Sequence, residues 1–188
     1  MAKAGGTGVV GPFPERVGDE PEDREEYDRL RRRVLWAMPS GLYVVGSSDL
    51  QGTSNLMTLN WATQVAFDPK LVGIAVDQHA LTHRLIEAGE CFTVCFVARE
   101  DRAIVRRFTR PVEVDPSTGE LNGFAVHVAT TGAPVLSTAA AFLDCRVRQV
   151  VPTGDHTFFV GEVVDVGFLS DEGTEVLRME DTRMNYGG

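Results

Sequence analysis

Thr138–Leu169 reads TAAAFLDCRVRQVVPTGDHTFFVGEVVDVGFL. Two long runs rich in β-branched and aromatic residues, TAAAFLDCRVRQVV and HTFFVGEVVDVGFL, flank Pro152-Thr153-Gly154. Such runs around a Pro/Gly turn predict two long antiparallel strands joined as a hairpin. Upstream, CFTVCFVA predicts a strand with Cys91, Thr93 and Cys95 on one face and Phe92, Val94 and Phe96 on the other. GLYVVGSS and SNLMTL, separated by the turn residues Asp49 to Gly52, predict a further hairpin. NWATQVAF and LVGIAVD follow, split by Asp68-Pro69, and FAVHVAT predicts one more strand. HALTHRLIEAGE predicts a short helix closed by Gly89, and EDRAIVRRFTR a second helix ended by Pro111. VDPSTGELNG predicts a surface loop, and the C-terminal RMNYGG a short irregular end. Many short antiparallel strands with a few inserted helices predict a mainly β protein, a closed or nearly closed β-barrel with peripheral helices.

The N-terminal part differs. Residues 1–26 are rich in Gly, Pro and acidic residues and predict an arm or tail, ordered by packing Val9, Val10 and Phe13 on another surface such as a partner subunit. EEYDRLRRRVLWAM then predicts a helix, with Tyr27, Leu30, Val34 and Leu35 at helical spacing. Its arginines, Arg29, Arg31, Arg32 and Arg33, read as a solvated face balanced by Asp23, Glu25, Glu26 and Asp28.

The composition, with 188 residues and 43% hydrophobic, predicts one soluble globular domain, here spanning 27–188 after the arm. A net charge of −9 argues against a nucleic-acid partner. No apolar run is long enough to cross a membrane as a helix and no leader pattern is visible, so the expected location is the cytoplasm, with three reduced cysteines. There is no Rossmann or P-loop glycine pattern and no G-x-S-x-G elbow. His79 and His83 are four apart, but no third ligand stands in a fixed relation to them, so no metal is expected.

Three segments carry polar residues that a plain barrel does not need. Ser54 to Gln64 can present backbone N–H groups and short side chains to a flat polar heterocycle, or can simply be a strand pair with a polar outer face. Asp77 to Arg84 is a strand end entering a helix, which suits a phosphate or is an ordinary helix start. Gly154 to Val163 opens with Asp155-His156, where the carboxylate can orient an imidazole that donates a hydrogen bond, or serve the turn alone.

Together these segments resemble the flavin reductase family, the flavin-binding split β-barrel enzymes. The resemblance runs from about Tyr27 to the C-terminus, through MPSGLYVVGS, SNLMTLNWATQV, the Asp68-Pro69 turn, LVGIAV, THRLIEAGECFTV, GDHTFFVGEV and the Tyr186-Gly-Gly end. It implies a split β-barrel homodimer that reduces FMN or FAD with NADH or NADPH, the reduced flavin diffusing to a partner monooxygenase. Asn55, Met57 and Thr58 match the segment along the isoalloxazine ring. Asn60, Trp61, Ala62, Thr63 and Gln64 match the segment at the ring edge and ribityl chain. His79 and Thr82 match the phosphate turn, where Gln78, His79 and Ala80 replace the basic residue and serines of many relatives and Arg84 is the compensating candidate. Cys95 stands where many relatives carry Asn at a flavin contact. His156 matches the catalytic-site histidine beside the nicotinamide, supported by Asp155. Alternative readings are a split barrel with retained flavin acting on an organic substrate, and a non-enzymatic flavin or haem protein with His79, His83, His127 and His156 as axial candidates. A pyridoxamine-phosphate-oxidase-like enzyme would need a basic cluster that the barrel segments lack. His127, between apolar residues, is expected inside the barrel.

Overall fold

The computed structural model describes residues 11–184; Val9, Val10 and the Tyr186-Gly-Gly end lie outside the described residues. The chain divides into two compact units, the second being Ser40–Arg183.

In the first unit, helix α1 spans Pro21–Trp36. It starts inside the segment expected to be an arm. Pro21 costs nothing in the first turn, where its missing N–H has no partner to lose, and Glu22 and Asp23 meet the positive end of the helix dipole. None of its residues is buried. The arginines pair with acids on their own helix: Arg31 with Asp28 at 2.6 Å, Arg32 with Asp28 at 3.5 Å and Arg29 with Glu25 at 3.8 Å. Phe13 needs no other subunit for a partner, since it meets the Tyr27 ring at 6.2 Å and is covered by Arg24 and Arg31.

In the second unit the strands are β1 (Tyr43–Ser48), β2 (Ser54–Leu59), β3 (Ala62–Ala66), β4 (Leu71–Asp77), β5 (Cys91–Phe96), β6 (Val126–Val128), β7 (Pro134–Leu136), β8 (Ala141–Thr153) and β9 (His156–Phe168), with helix α2 (Leu81–Gly89) between β4 and β5. Seven strands form one antiparallel sheet in the order β2-β1-β5-β8-β9-β4-β3; β6 and β7 pair separately. The outer strands β2 and β3 are joined through Asn60 and Trp61 alone. Three residue steps span at most about 11 Å. In a flat sheet, six strand spacings of about 4.8 Å would hold those strands about 29 Å apart. The sheet is therefore strongly curled, bringing its two edges together at this corner. No ladder joins β2 to β3, so where a closed or nearly closed barrel is expected the sheet is curled and not closed. β3 is short, and a register shift between Gln64 and Ala66 turns it out of line.

Inside the curl, Val45, Leu59, Val72, Ile74, Val76, Phe92, Val94, Cys145 and Phe159 form one core cluster, and Ile86 of α2 joins it. Period-2 alternation explains the membership, since these residues occupy alternate positions along their strands. As expected, Phe92 and Val94 face this core while Thr93 and Cys95 turn to Pro134 and Leu136.

Several local expectations change. Residues 100–110 are not an α-helix but part of two 3-10 turns, Arg99–Asp101 and Ile104–Phe108. Val105 and Phe108, three apart and both fully buried, match a three-residue period. The β8–β9 connection is shorter than Pro152 to Gly154. Pro152 and Thr153 stay in the ladder, and the turn is Gly154-Asp155, with Gly154 at φ +74°. The left-handed residue after α2 is Glu90, not Gly89; Gly89 is needed because a Cβ there would run into the Ser48 carbonyl. His127 lies exposed on β6, off the main sheet, 3.5 Å from Ser137 Oγ.

All three cysteines are buried and free. Burial pushes the Cys95 thiol up to about 11 and the Cys145 thiol up to about 12. Thiolate is the reactive form, so a thiol-titrating disulfide reagent at pH 8 labels none of the three until denaturant is added. Rapid labelling of the native protein would contradict this burial.

Candidate active site

The candidate residues gather around the first turn of α2 and the β2–β3 corner. The helix has no side-chain cap at Ala80. Instead, its first turn is held from two strands. Asn55 on β2 donates through Nδ2 to Thr82 Oγ1 at 2.9 Å, and its Oδ1 accepts from the Val112 N–H at 3.0 Å. On the other side, His83 Nε2 lies 2.8 Å from Thr157 Oγ1 of β9. Asn55 and Thr82 are buried and already paired, so their side chains hold the turn in place. His79 and Arg84 are exposed beside it, and the His79 N–H bonds Asp77 Oδ1 at 2.8 Å.

Strand alternation splits the expected ring-contacting group. Asn55 and Met57 share a face with Ser47 and Val45, the face of the core, and Met57 packs against that core. Thr58 points the opposite way and donates to the Val105 carbonyl. What these residues share is the backbone of β2, an edge strand whose outer side has no strand partner among the described residues. Cys95 is fully buried beside Leu136 and Thr93.

At the corner, the link residue Trp61 lies 4.9 Å from the His156 ring, tilted by 55°. The Trp61 carbonyl accepts from the Ala75 N–H. His156 Nδ1 is 2.7 Å from Asp155 Oδ1. That hydrogen bond is the main cause holding the Asp155 carboxyl below the usual carboxylate range, and His79 adds to it. The His156 side chain keeps 11% of its exposure and Asp155 88%, so the imidazole is embedded while the carboxylate faces water. Gln78 braces the turn twice, through its N–H to the Asp155 carbonyl at 3.1 Å and through Nε2 to the His156 carbonyl at 3.3 Å.

Beyond the corner, Ala62, Thr63 and Gln64 line one wall of a cavity of about 370 Å³. Tyr43, Phe96, Leu143 and Lys70 line it as well. Burial pushes the Tyr43 phenol up. Gln64 Nε2 bonds the Ala66 carbonyl at 3.1 Å. Tyr43 and Lys70 carry no signal in the sequence, because they line one cavity only where the sheet curls; nothing local to Gln78 announces its two bonds to the β8–β9 turn. Among the described residues, no group of three or more His, Cys, Asp or Glu is placed to hold a metal ion. No helix among them is long and apolar enough to cross a membrane.

The family described as flavin reductase like domain matches residues 35–188. The chain belongs to that family. It is 33% identical over 162 residues to an NADH-dependent FAD reductase of Streptomyces globisporus, covering 83% of this chain and 81% of that protein. It is 28% identical over 138 residues to the stachydrine N-demethylase reductase subunit Stc3 of Rhizobium meliloti, covering 72% of this chain but only 56% of that protein. Among solved structures, the NADH:FAD oxidoreductase SgcE6 of Streptomyces globisporus, in complex with NAD and FAD fragments, superposes with a TM-score of 0.70 at 27% identity, covering 87% of this chain and 94% of that one.

Proposed function

We propose that this chain is a flavin reductase that takes electrons from NADH or NADPH and delivers them to FMN or FAD. The observation that carries the reading is the corner where the two sheet edges meet. There an embedded imidazole held by a carboxylate and an indole stand together at the end of the β2 edge, and a cavity begins at Ala62, the residue after the indole. The similarity to an NADH-dependent FAD reductase supports NADH and FAD as the first pair to test.

The residues fit a planar heterocycle with an anionic tail. The cavity is of the size that takes a small organic ring system, and its lining is mainly apolar, with Thr63, Gln64 and Lys70 as its polar members. The β2 edge and Asn60 to Gln64 would hold the ring, and the first turn of α2, with His79 and Arg84, would face the phosphate. A bound flavin supplies the two-electron acceptor for a nicotinamide hydride. The protein's part is alignment: Trp61 and His156 limit how a second flat ring can lie, and proximity is the chief gain. His156 donates or accepts a hydrogen bond toward the nicotinamide amide while Asp155 holds its ring, and hydride transfer needs no protein acid.

A split barrel is the description that the curled, unclosed sheet supports. The exposed row Val164, Val166 and Phe168 on β9 supports a homodimer. Delivery of reduced flavin to a monooxygenase by diffusion, in the cytoplasm, follows from the same reading.

The test follows NADH and NADPH oxidation at 340 nm in air, with and without added FMN or FAD. Oxidation that saturates with added flavin, from nearly colourless protein, is the expected result. Yellow protein without nicotinamide oxidation would replace this reading with a retained flavin acting on another substrate.

A further inference from the structure

His83 is a buried imidazole that the proposed reaction does not use. Its Nδ1 lies 3.3 Å from Glu87 Oε2, one turn along α2, and its Nε2 lies 2.8 Å from Thr157 Oγ1. The Phe159 ring packs edge-on at 5.2 Å. The Glu87 carboxylate stands beside Nδ1 without completing a hydrogen bond to it. The bond that ties the ring to a strand is the one between Nε2 and the Thr157 hydroxyl, in which the imidazole tautomer sets which atom donates.

Thr157 is the residue after His156, and both begin β9. Alternation turns Thr157 inward, to α2, and His156 to the opposite side, where Trp61 packs against it. The His156 backbone is gripped at the same point by Gln78 Nε2 and by Thr153 Oγ1, each donating to its carbonyl. The β4 ladder and Gln78 hold the tip of the β8–β9 hairpin through its backbone. The bond between Thr157 and His83 adds a buried side-chain anchor from β9 to α2.

We infer that His83 is a positioning residue: through Thr157 it fixes the start of β9, and so the placement of His156 against the nicotinamide. The inference rests on the proposed reductase reading for the role of His156. It adds that α2 has two duties, presenting its first turn on one side through Thr82 and bracing the nicotinamide-side histidine on the other through the next residue.

The experiment compares Thr157→Val, Thr157→Ser and His83→Phe in the full chain, reading the KM for NADH, kcat, flavin Kd by fluorescence quenching, and the His156 imidazole NMR signals. Valine keeps the shape of threonine and removes only the hydroxyl. The expected result for Thr157→Val is about a fivefold rise in NADH KM, the effect of one net hydrogen bond, with kcat and flavin Kd within about twofold. The His156 signals shift, Thr157→Ser restores both, and His83→Phe combined with Thr157→Val is no worse than either alone. A folded Thr157→Val protein with unchanged NADH KM and unmoved His156 signals overturns the inference. The NMR readout needs no turnover, so it still tests the tether if the reductase reading itself fails; that failure would show as His156→Ala leaving NADH KM unchanged.

Discussion

Replacing His156 with alanine raises the KM for NADH at least about tenfold, the scale of a hydrogen bond to a charged or polarised group. Flavin Kd changes by less than about threefold. The split is expected because His156 stands at the tip of β9 against Trp61, whereas the β2 edge and the α2 turn lie on other elements. Asp155→Asn gives a smaller rise in the same direction, since the imidazole remains and only its orienting carboxylate is lost. The hydrogen bond from His156 holds the Asp155 carboxyl below its ordinary range, so the carboxylate persists as pH falls through the usual carboxylate values. The orienting effect is therefore fully present at neutral pH and fades only in stronger acid. Steady-state kinetics with varied NADH at saturating flavin makes the check, and an unchanged KM in His156→Ala would remove this histidine from the nicotinamide site.

Asn55→Leu carries the largest expected loss of stability. The amide is buried and bridges Thr82 on α2 and the Val112 N–H, joining three separate segments. Leucine fills the space and takes away the acceptor of the part-buried Val112 N–H and the donor to the buried Thr82 hydroxyl. The cost is about 2–4 kcal/mol, which lowers the melting temperature by roughly 5–15 °C in a domain of this size. Thr82→Val removes only one arm and costs less, about 1–2 kcal/mol. Thermal unfolding followed by circular dichroism decides it; a drop under about 2 °C for Asn55→Leu would show that the bridge is dispensable.

The same two residues show how far the sequence could be read. Asn55 and His156 both stood out as polar residues inside strand patterns, and both lie at the candidate site. The role of Asn55 did not follow from its position. In sequence it stood with Thr58 as part of one ring-contacting group. Alternation of the strand faces parts them, and the Asn55 amide is taken up by Thr82 and Val112, residues 27 and 57 positions away. Cys95 likewise matched a flavin contact and is a core thiol against Leu136. His83, noted only for its spacing from His79, gains its meaning from Thr157, 74 residues later. No local pattern carries such pairings.

Sequence by itself determined the strands other than β7, the hairpins and the short helix after Asp77. These rest on side-chain period, β-branched content and turn chemistry, all local to a few residues. It also carried the order of motifs that marks the family. Tertiary structure alone decided that the sheet is curled but unclosed, that Trp61 meets His156, and that Tyr43 and Lys70 share a cavity with Gln64. The cause is a single geometric constraint: two residues must link the opposite edges of a seven-stranded sheet, so the sheet bends until residues far apart in the chain become neighbours.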